Sequence, residues 1–284
     1  MSDYSELLTT GGVSATIITA LMKNPDLLKL IYSDVAEPSV RKVGEALSTV
    51  FDFGNTLLLP LKLLNEKSKI LFTNSMEKYR DKIEKLNDDD INKVPPEIGI
   101  PIMEKLLYTQ DEDLASLYIE LLANASNKKT CGYVHPLNIH IVHMITPDEA
   151  VLLKNMSETI KETKFPYILS VRTIMRTEKD RSFRQLKENA IKPSYFDGVG
   201  AKNIDSLYIN NLISLGLFQA EYIGGLKDSD EEYKVIEDNL NTLYADFIHI
   251  STLAKTGQFL EYARGYLKMT TTCEFFMKSV GLLN

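Results

Sequence analysis

Tryptophan is absent from this 284-residue chain, and cysteine and histidine are scarce, with two and four copies. Two cysteines as distant as Cys131 and Cys273 argue against a disulfide scaffold. With no secretory leader pattern, they point to a reducing compartment, so the expected location is cytoplasmic. Catalytic signatures are lacking too. There is no Gly-x-Ser-x-Gly elbow, and GGVSAT at 11–16 lacks both the Lys-Ser/Thr ending and the preceding strand of a phosphate loop, so it reads as a helix start. Cys273 has no histidine near it in sequence and fits a buried thiol better than a nucleophile. No apolar run reaches the roughly 20 residues of a membrane span. The nearest, STVFDFGNTLLLPLKLLN at 48–65, is interrupted by Asp52, Asn55, Pro60 and Lys62. Positive charge is in deficit: 32 Lys+Arg against 39 Asp+Glu give a net charge of -7, which excludes a surface built throughout for nucleic acid but leaves room for a local patch.

What is present is helical periodicity and enough apolar residues, 44% of the chain, for a sizeable core. Three Thr-x-x-Glu patterns beside apolar runs predict helix starts: Thr109 with Glu112, Thr146 with Glu149, and Thr271 with Glu274. Pro147 strengthens the second, and Asn24 with Pro25 suggests another start. EKSKILFTNSMEKYRDKIEKL predicts one long charged helix, with Pro60 breaking the run before it, and NDDDINKVPPE at 87–97 reads as an internal boundary. Four short helices follow in IPIMEKLLYT, DEDLASLYIELLANAS, PLNIHIVHMI and PDEAVLLKNMSETI, an antiparallel bundle in outline. Beyond about residue 165, NIDSLYINNLISLGLF predicts a helix ending at Gly216, LFQAEYI a strand, and ARGYLKMTTTCEFFMKSVG a strand, cap and final helix. That order suits a winged-helix-like unit whose two strands are separated by an acidic, helical insertion at 224–255.

Cys131, His135, His140 and His143 form the one cluster with ligand character. A closed zinc site needs four converging ligands, and His140 and His143 could offer two from one helix face. No tight ligand knuckle is present, however, and His135 before Pro136 belongs at a helix start. Projection of 136–145 groups Leu137, Ile141, Met144 and Ile145 as a buried stripe flanked by His140 and His143. The predicted role is structural, with no metal.

Residues 161–192 hold nine Lys and Arg against four acids, a local excess of five. Arg172, Arg176, Arg181, Arg184 and Lys187 are its candidate phosphate- or partner-contacting residues. The plain alternative is neutralisation by the acidic insertion.

VPPEIGIPIMEKLLYTQDEDLASLYIELLANASN, followed by HPLNIHIVHMITPDEAVLL, resembles the abortive-infection alpha family, a bacterial helical group otherwise described as a domain of unknown function. The resemblance is carried by Pro95, Pro96, Pro101, Tyr108, Thr109, Leu114, Leu121, Leu122, Ala125, His135, Pro136, Pro147, Asp148, Glu149, Ala150 and Leu153. LLPLKLLNEK upstream, and YINNLISLGLF and MTTTCEFFMKSVG downstream, extend it. Cys273 and Val280 stand where the family pattern has Gly and Cys. The resemblance implies bacterial defence against phage, with arrest of the infected cell as one route, and carries over no catalytic residue.

The expected fold is therefore mainly α, a multi-helix bundle followed by a winged-helix-like C-terminal unit with a short β-hairpin. Its expected parts are an N-terminal helical region at 1–90, a central helical bundle at 91–165 and the winged-helix-like domain with its insertion at 166–284. The expected function is non-enzymatic anti-phage defence through a phage or host protein partner, with no catalytic residue, cofactor or metal. The alternatives are a DNA-binding regulator using the basic run and a membrane-surface effector using the amphipathic region 38–90.

Overall fold

The computed structural model describes residues 38–51, 66–159, 164–175, 183–200, 205–222, 225–246 and 258–283. The expected helix starts at 11–16 and at Asn24 and Pro25, the stretch 52–65 with Pro60, and the candidates Arg176 and Arg181 lie outside them. The fold is mainly helical with an antiparallel sheet, and it divides into two compact units: one of the described residues up to Met144 with 275–283, the other Ile145–Glu274.

The first unit holds α1 (Pro38–Ala46), α2 (Ser48–Phe51), α3 (Glu66–Glu84), α4 (Pro96–Tyr108), α5 (Glu112–Ala125) and α6 (Pro136–Met144). On the expected long helix α3, Phe72, Met76, Tyr79 and Ile83 are buried, the spacing of a single helical stripe. Helices α3, α4 and α5 pack pairwise, with α6 against α4 and α5. At the centre the Tyr79 hydroxyl pairs with Ser126 Oγ at 2.7 Å, so this fully buried tyrosine leaves no polar atom unmatched. Helices α2 and α4 meet at Gly99, where a Cβ would come within 2.3 Å of Val50 Cγ2.

The second unit holds α7 (Pro147–Glu158), β1 (Lys164–Met175), β2 (Phe183–Ala190), α8 (Asp205–Ser214), β3 (Phe218–Glu221), α9 (Asp230–Leu243) and β4 (Gln258–Met269). Helix α10 (Thr271–Ser279) begins here and ends among the residues of the first unit. The sheet runs β2-β1-β4-β3, antiparallel throughout. The expected pairing of two strands is present as β3 with β4, but it forms only one side of the sheet; β1 and β2, not anticipated, form the other. Pro166 in β1 is tolerated because β2 joins only from Ile168 onward, so at Pro166 the strand pairs with β4 alone. A bulge between Ile168 and Ser170 puts Ile168 and Val171 on one face, where they pack with Tyr233, Ile236 and Leu240 of α9. Phe165 meets Tyr195 and Phe218 edge-on.

Three sequence expectations need correction. Helix α5 is capped by Asp111, whose Oδ1 accepts from Leu114 N at 3.0 Å, while Thr109 closes α4 by bonding Lys105 O. The carboxylate is the stronger acceptor beside the positive end of a helix dipole, so it displaces the hydroxyl. Helix α10 is capped by Thr270, which accepts from Cys273 N at 3.1 Å, rather than by Thr271. On α6 the buried face is Asn138, Ile139, Ile141 and Val142, with Leu137 and Met144 exposed at 42% and 48%. The exposed side carries His140 and His143 together with Leu137 and Met144, so apolar residues fall on both sides of the helix and mark no single stripe. The orientation follows Asn138, whose amide donates to Tyr133 O at 3.0 Å and Ser279 Oγ at 2.5 Å.

Candidate functional site

The second unit contains a groove of about 620 Å³ lined by Thr146, Pro147, Asp148 and Glu149 at the start of α7 and by Leu207, Tyr208, Asn210, Asn211 and Ser214 of α8. The α8 residues recur at three and four positions and so share one side of that helix. Thr146 stands just outside α7 in extended conformation and Pro147 occupies its first turn, a place where a missing amide costs nothing. Both bonds of the expected capping box form: Glu149 N donates to Thr146 Oγ1 at 3.2 Å, and Thr146 N donates to Glu149 Oε2 at 2.6 Å. Thr146 Oγ1 also donates to Glu149 Oε2, at 2.9 Å.

The other carboxylate oxygens reach further along the chain. Asn211 Nδ2 donates to Glu149 Oε1 at 2.8 Å, Gly200 N to Asp148 Oδ1 at 2.9 Å, and the Tyr208 hydroxyl to Asp148 Oδ2 at 2.6 Å. Burial, reinforced by the Asp148 carboxylate, pushes the Tyr208 hydroxyl up to about 12. Every carboxylate oxygen of the pair thus accepts a hydrogen bond from the protein. Chemically this is a clasp that fixes the start of α7 to α8, walled by apolar atoms and open above. Tyr208, Asn211 and Gly200 lie too far along the chain for a local motif to reveal, and from sequence Thr146–Glu149 reads only as a local cap. The signal was that PDE and YINN both belong to stretches carrying the family resemblance.

The other candidates fall elsewhere. The ring Nδ1 of His135 accepts from Leu137 N at 3.1 Å at the start of α6, Lys105 Nζ lies 3.2 Å from His143 Nε2, and Cys131 Sγ is 3.6 Å from Lys128 O. His140 is exposed. Among the described residues no group of three or more His, Cys, Asp and Glu could hold a metal ion. Of the basic run, Arg172 opposes Gln185 in register while its neighbour Thr173 opposes Arg184, so Arg172 and Arg184 lie on opposite faces of the sheet. Lys187 opposes Val171 and shares the face of Arg184; its ammonium is bound by Asp205 at 2.6 and 2.7 Å. Arg172 Nε donates to Ser170 Oγ at 3.1 Å. The acidic insertion is neutralised in part by Arg264, which binds Glu237 and Asp230 of α9.

A family model described as abortive infection alpha matches residues 71–280, a span that takes in both sides of the groove. The chain belongs to the abortive infection alpha family. Membership points to an abortive-infection-like role in bacterial defence. No curated protein matches this abortive infection alpha chain. A solved structure of an uncharacterized protein from the hydrocarbon-degrading marine bacterium Alcanivorax borkumensis SK2 is similar at 18% identity over 50% of this chain and 91% of its own, with a TM-score of 0.30, too low to bear on the fold. Among the described residues, no helix is long and apolar enough to cross a membrane.

Proposed function

We propose that this abortive infection alpha protein is a cytoplasmic bacterial defence protein that works by contact with a phage or host protein and not by catalysis. The observation supporting the non-catalytic part is the clasp: every carboxylate oxygen at the family-like Pro-Asp-Glu positions accepts a hydrogen bond from the protein, which gives both acids a structural role in holding α7 to α8. In this reading α8, β3, β4 and α10 act as a winged-helix-like scaffold for contact, a reading supported by the pairing of β3 with β4.

Phage challenge of bacteria producing the chain tests the role. The expected result is reduced phage yield, with infected cells ceasing to grow; yields and growth equal to those of empty-vector cells would refute it. Turnover of nucleotide, nucleic acid or peptide by the pure protein would overturn the non-enzymatic part.

A further inference from the structure

Asn189, near the end of β2, is 5% exposed and has a φ of 55°, a left-handed conformation outside strand geometry. Held there, it bridges two other elements. The Tyr167 hydroxyl of β1 donates to Asn189 Oδ1, and Asn189 Nδ2 donates to Asn210 Oδ1 of α8 at 2.5 Å. Burial pushes the Tyr167 hydroxyl above its ordinary value, so it keeps the proton it donates. Each bond orients the next. With its oxygen taken by Tyr167, Asn189 turns its nitrogen to Asn210; with its oxygen taken in turn, Asn210 directs its own amide nitrogen away from Asn189. Asn210 is exposed on the wall of the groove, and among the described residues that nitrogen has no protein partner.

An exposed donor whose orientation is fixed by a buried, strained residue has the build of a recognition group held by a supporting shell. The rest of the lining says what it suits. Asp148 and Glu149 bring two carboxylates to the wall, no Lys or Arg is among the described lining residues, and the start of α7 offsets only about half a charge. An anionic acceptor is therefore repelled and a neutral carbonyl is favoured. Leu207, which is 60% exposed, Asn210 and the exposed Ser214 follow one another at three and four positions along α8. That row is ~10 Å long, the length of about three residues of extended chain. We propose that the groove takes a short, uncharged peptide segment of a protein partner, with Asn210 donating to a main-chain carbonyl and Leu207 covering an apolar side chain. The proposal rests on the contact-based reading above and names the chemistry of the contact.

The test is selection from a random peptide library on the full chain, followed by titration of the enriched peptides, made synthetically, against wild type, N210D and L207S. N210D keeps an oxygen for Asn189 Nδ2 but replaces the outward donor by an acceptor, so it separates recognition from packing. The expected result is enrichment of peptides poor in Asp and Glu, with binding weakened about tenfold by N210D and by L207S. Binding should persist at roughly 0.5 M salt, where attraction between exposed charges is screened. No enrichment, enrichment of acidic peptides, binding abolished by salt, or affinities the same in each folded variant would overturn the proposal. Should N210D not fold, as judged by circular dichroism, L207S decides: an affinity equal to wild type overturns it. A wild type that protects cells from phage yet selects no peptide refutes the groove alone, and one that selects peptides without protecting refutes the defence role alone.

Discussion

Replacing Glu149 with alanine tests the clasp. The side chain is 1% exposed and accepts three hydrogen bonds, from Thr146 N, Thr146 Oγ1 and Asn211 Nδ2. Alanine leaves the Thr146 amide, on an exposed residue, and the half-buried Asn211 amide without their carboxylate acceptor, and a hydrogen bond to a charged group contributes about 1.5–3 kcal/mol. Loss of a helix cap costs about 0.5–2 kcal/mol and overlaps the first of these, while the better helix propensity of alanine returns a few tenths of a kcal/mol. The net expectation is a destabilisation of about 2–4 kcal/mol. E149Q keeps the size and one acceptor but turns an amide toward donors, and should cost about 1–2 kcal/mol. Urea unfolding followed by both fluorescence and circular dichroism measures this while checking that the two units unfold together. A thermal midpoint lower by about 5–15 °C is the corresponding shift in melting. An E149A protein within about 0.5 kcal/mol of wild type would refute the clasp.

Three further outcomes follow from the packing. A Cβ on Gly265 would lie 2.3 Å from the Glu221 carbonyl oxygen, so G265A should force β3 off β4 and destabilise by about 2–4 kcal/mol, with faster amide exchange at 266–269; unchanged exchange there would contradict the register. Burial holds the Cys273 thiol up to about 12, whereas Cys131 is partly exposed, so a thiol reagent at neutral pH should label Cys131 in the native protein and Cys273 only on unfolding; equal labelling rates would contradict the burial. Tyr208 is raised from 10.0 to about 12 in the folded state, so its contribution to stability is complete below pH about 10 and is lost as pH rises toward 12. Y208F should lessen that alkaline loss, and an unchanged slope of stability against pH would count against it.

The helices were legible wherever local chemistry decides. Phe72, Met76, Tyr79 and Ile83 mark α3 by spacing alone, and Thr146 to Glu149 form the capping box that their identities dictate. What escaped was non-local. Strand β1 contains Pro166, which argues against a strand until it is seen that β1 has a single partner at that point, and its bulge shifts the alternation by one residue. Helix α6 exposes Leu137 and Met144 beside His140 and His143, and it buries Asn138 through a bond to Ser279 that no local window contains. Arg172, Arg184 and Lys187 looked like one patch because sequence proximity hides the alternation of faces along a strand. The groove was half visible: the Thr146–Glu149 side was read, but its partners Tyr208 and Asn211 lie about 60 residues on, where only the shared structure joins them.

D148N probes the contact-based reading most directly. An asparagine keeps an oxygen for Gly200 N and offers an amide to the Tyr208 hydroxyl, so the clasp survives while the acid is gone. In phage-challenged cells producing D148N, folded as wild type by circular dichroism, protection equal to that of the wild type is predicted. Loss of protection by a folded, normally abundant D148N protein, together with turnover of nucleotide, nucleic acid or peptide by the wild type that D148N lacks, would contradict it.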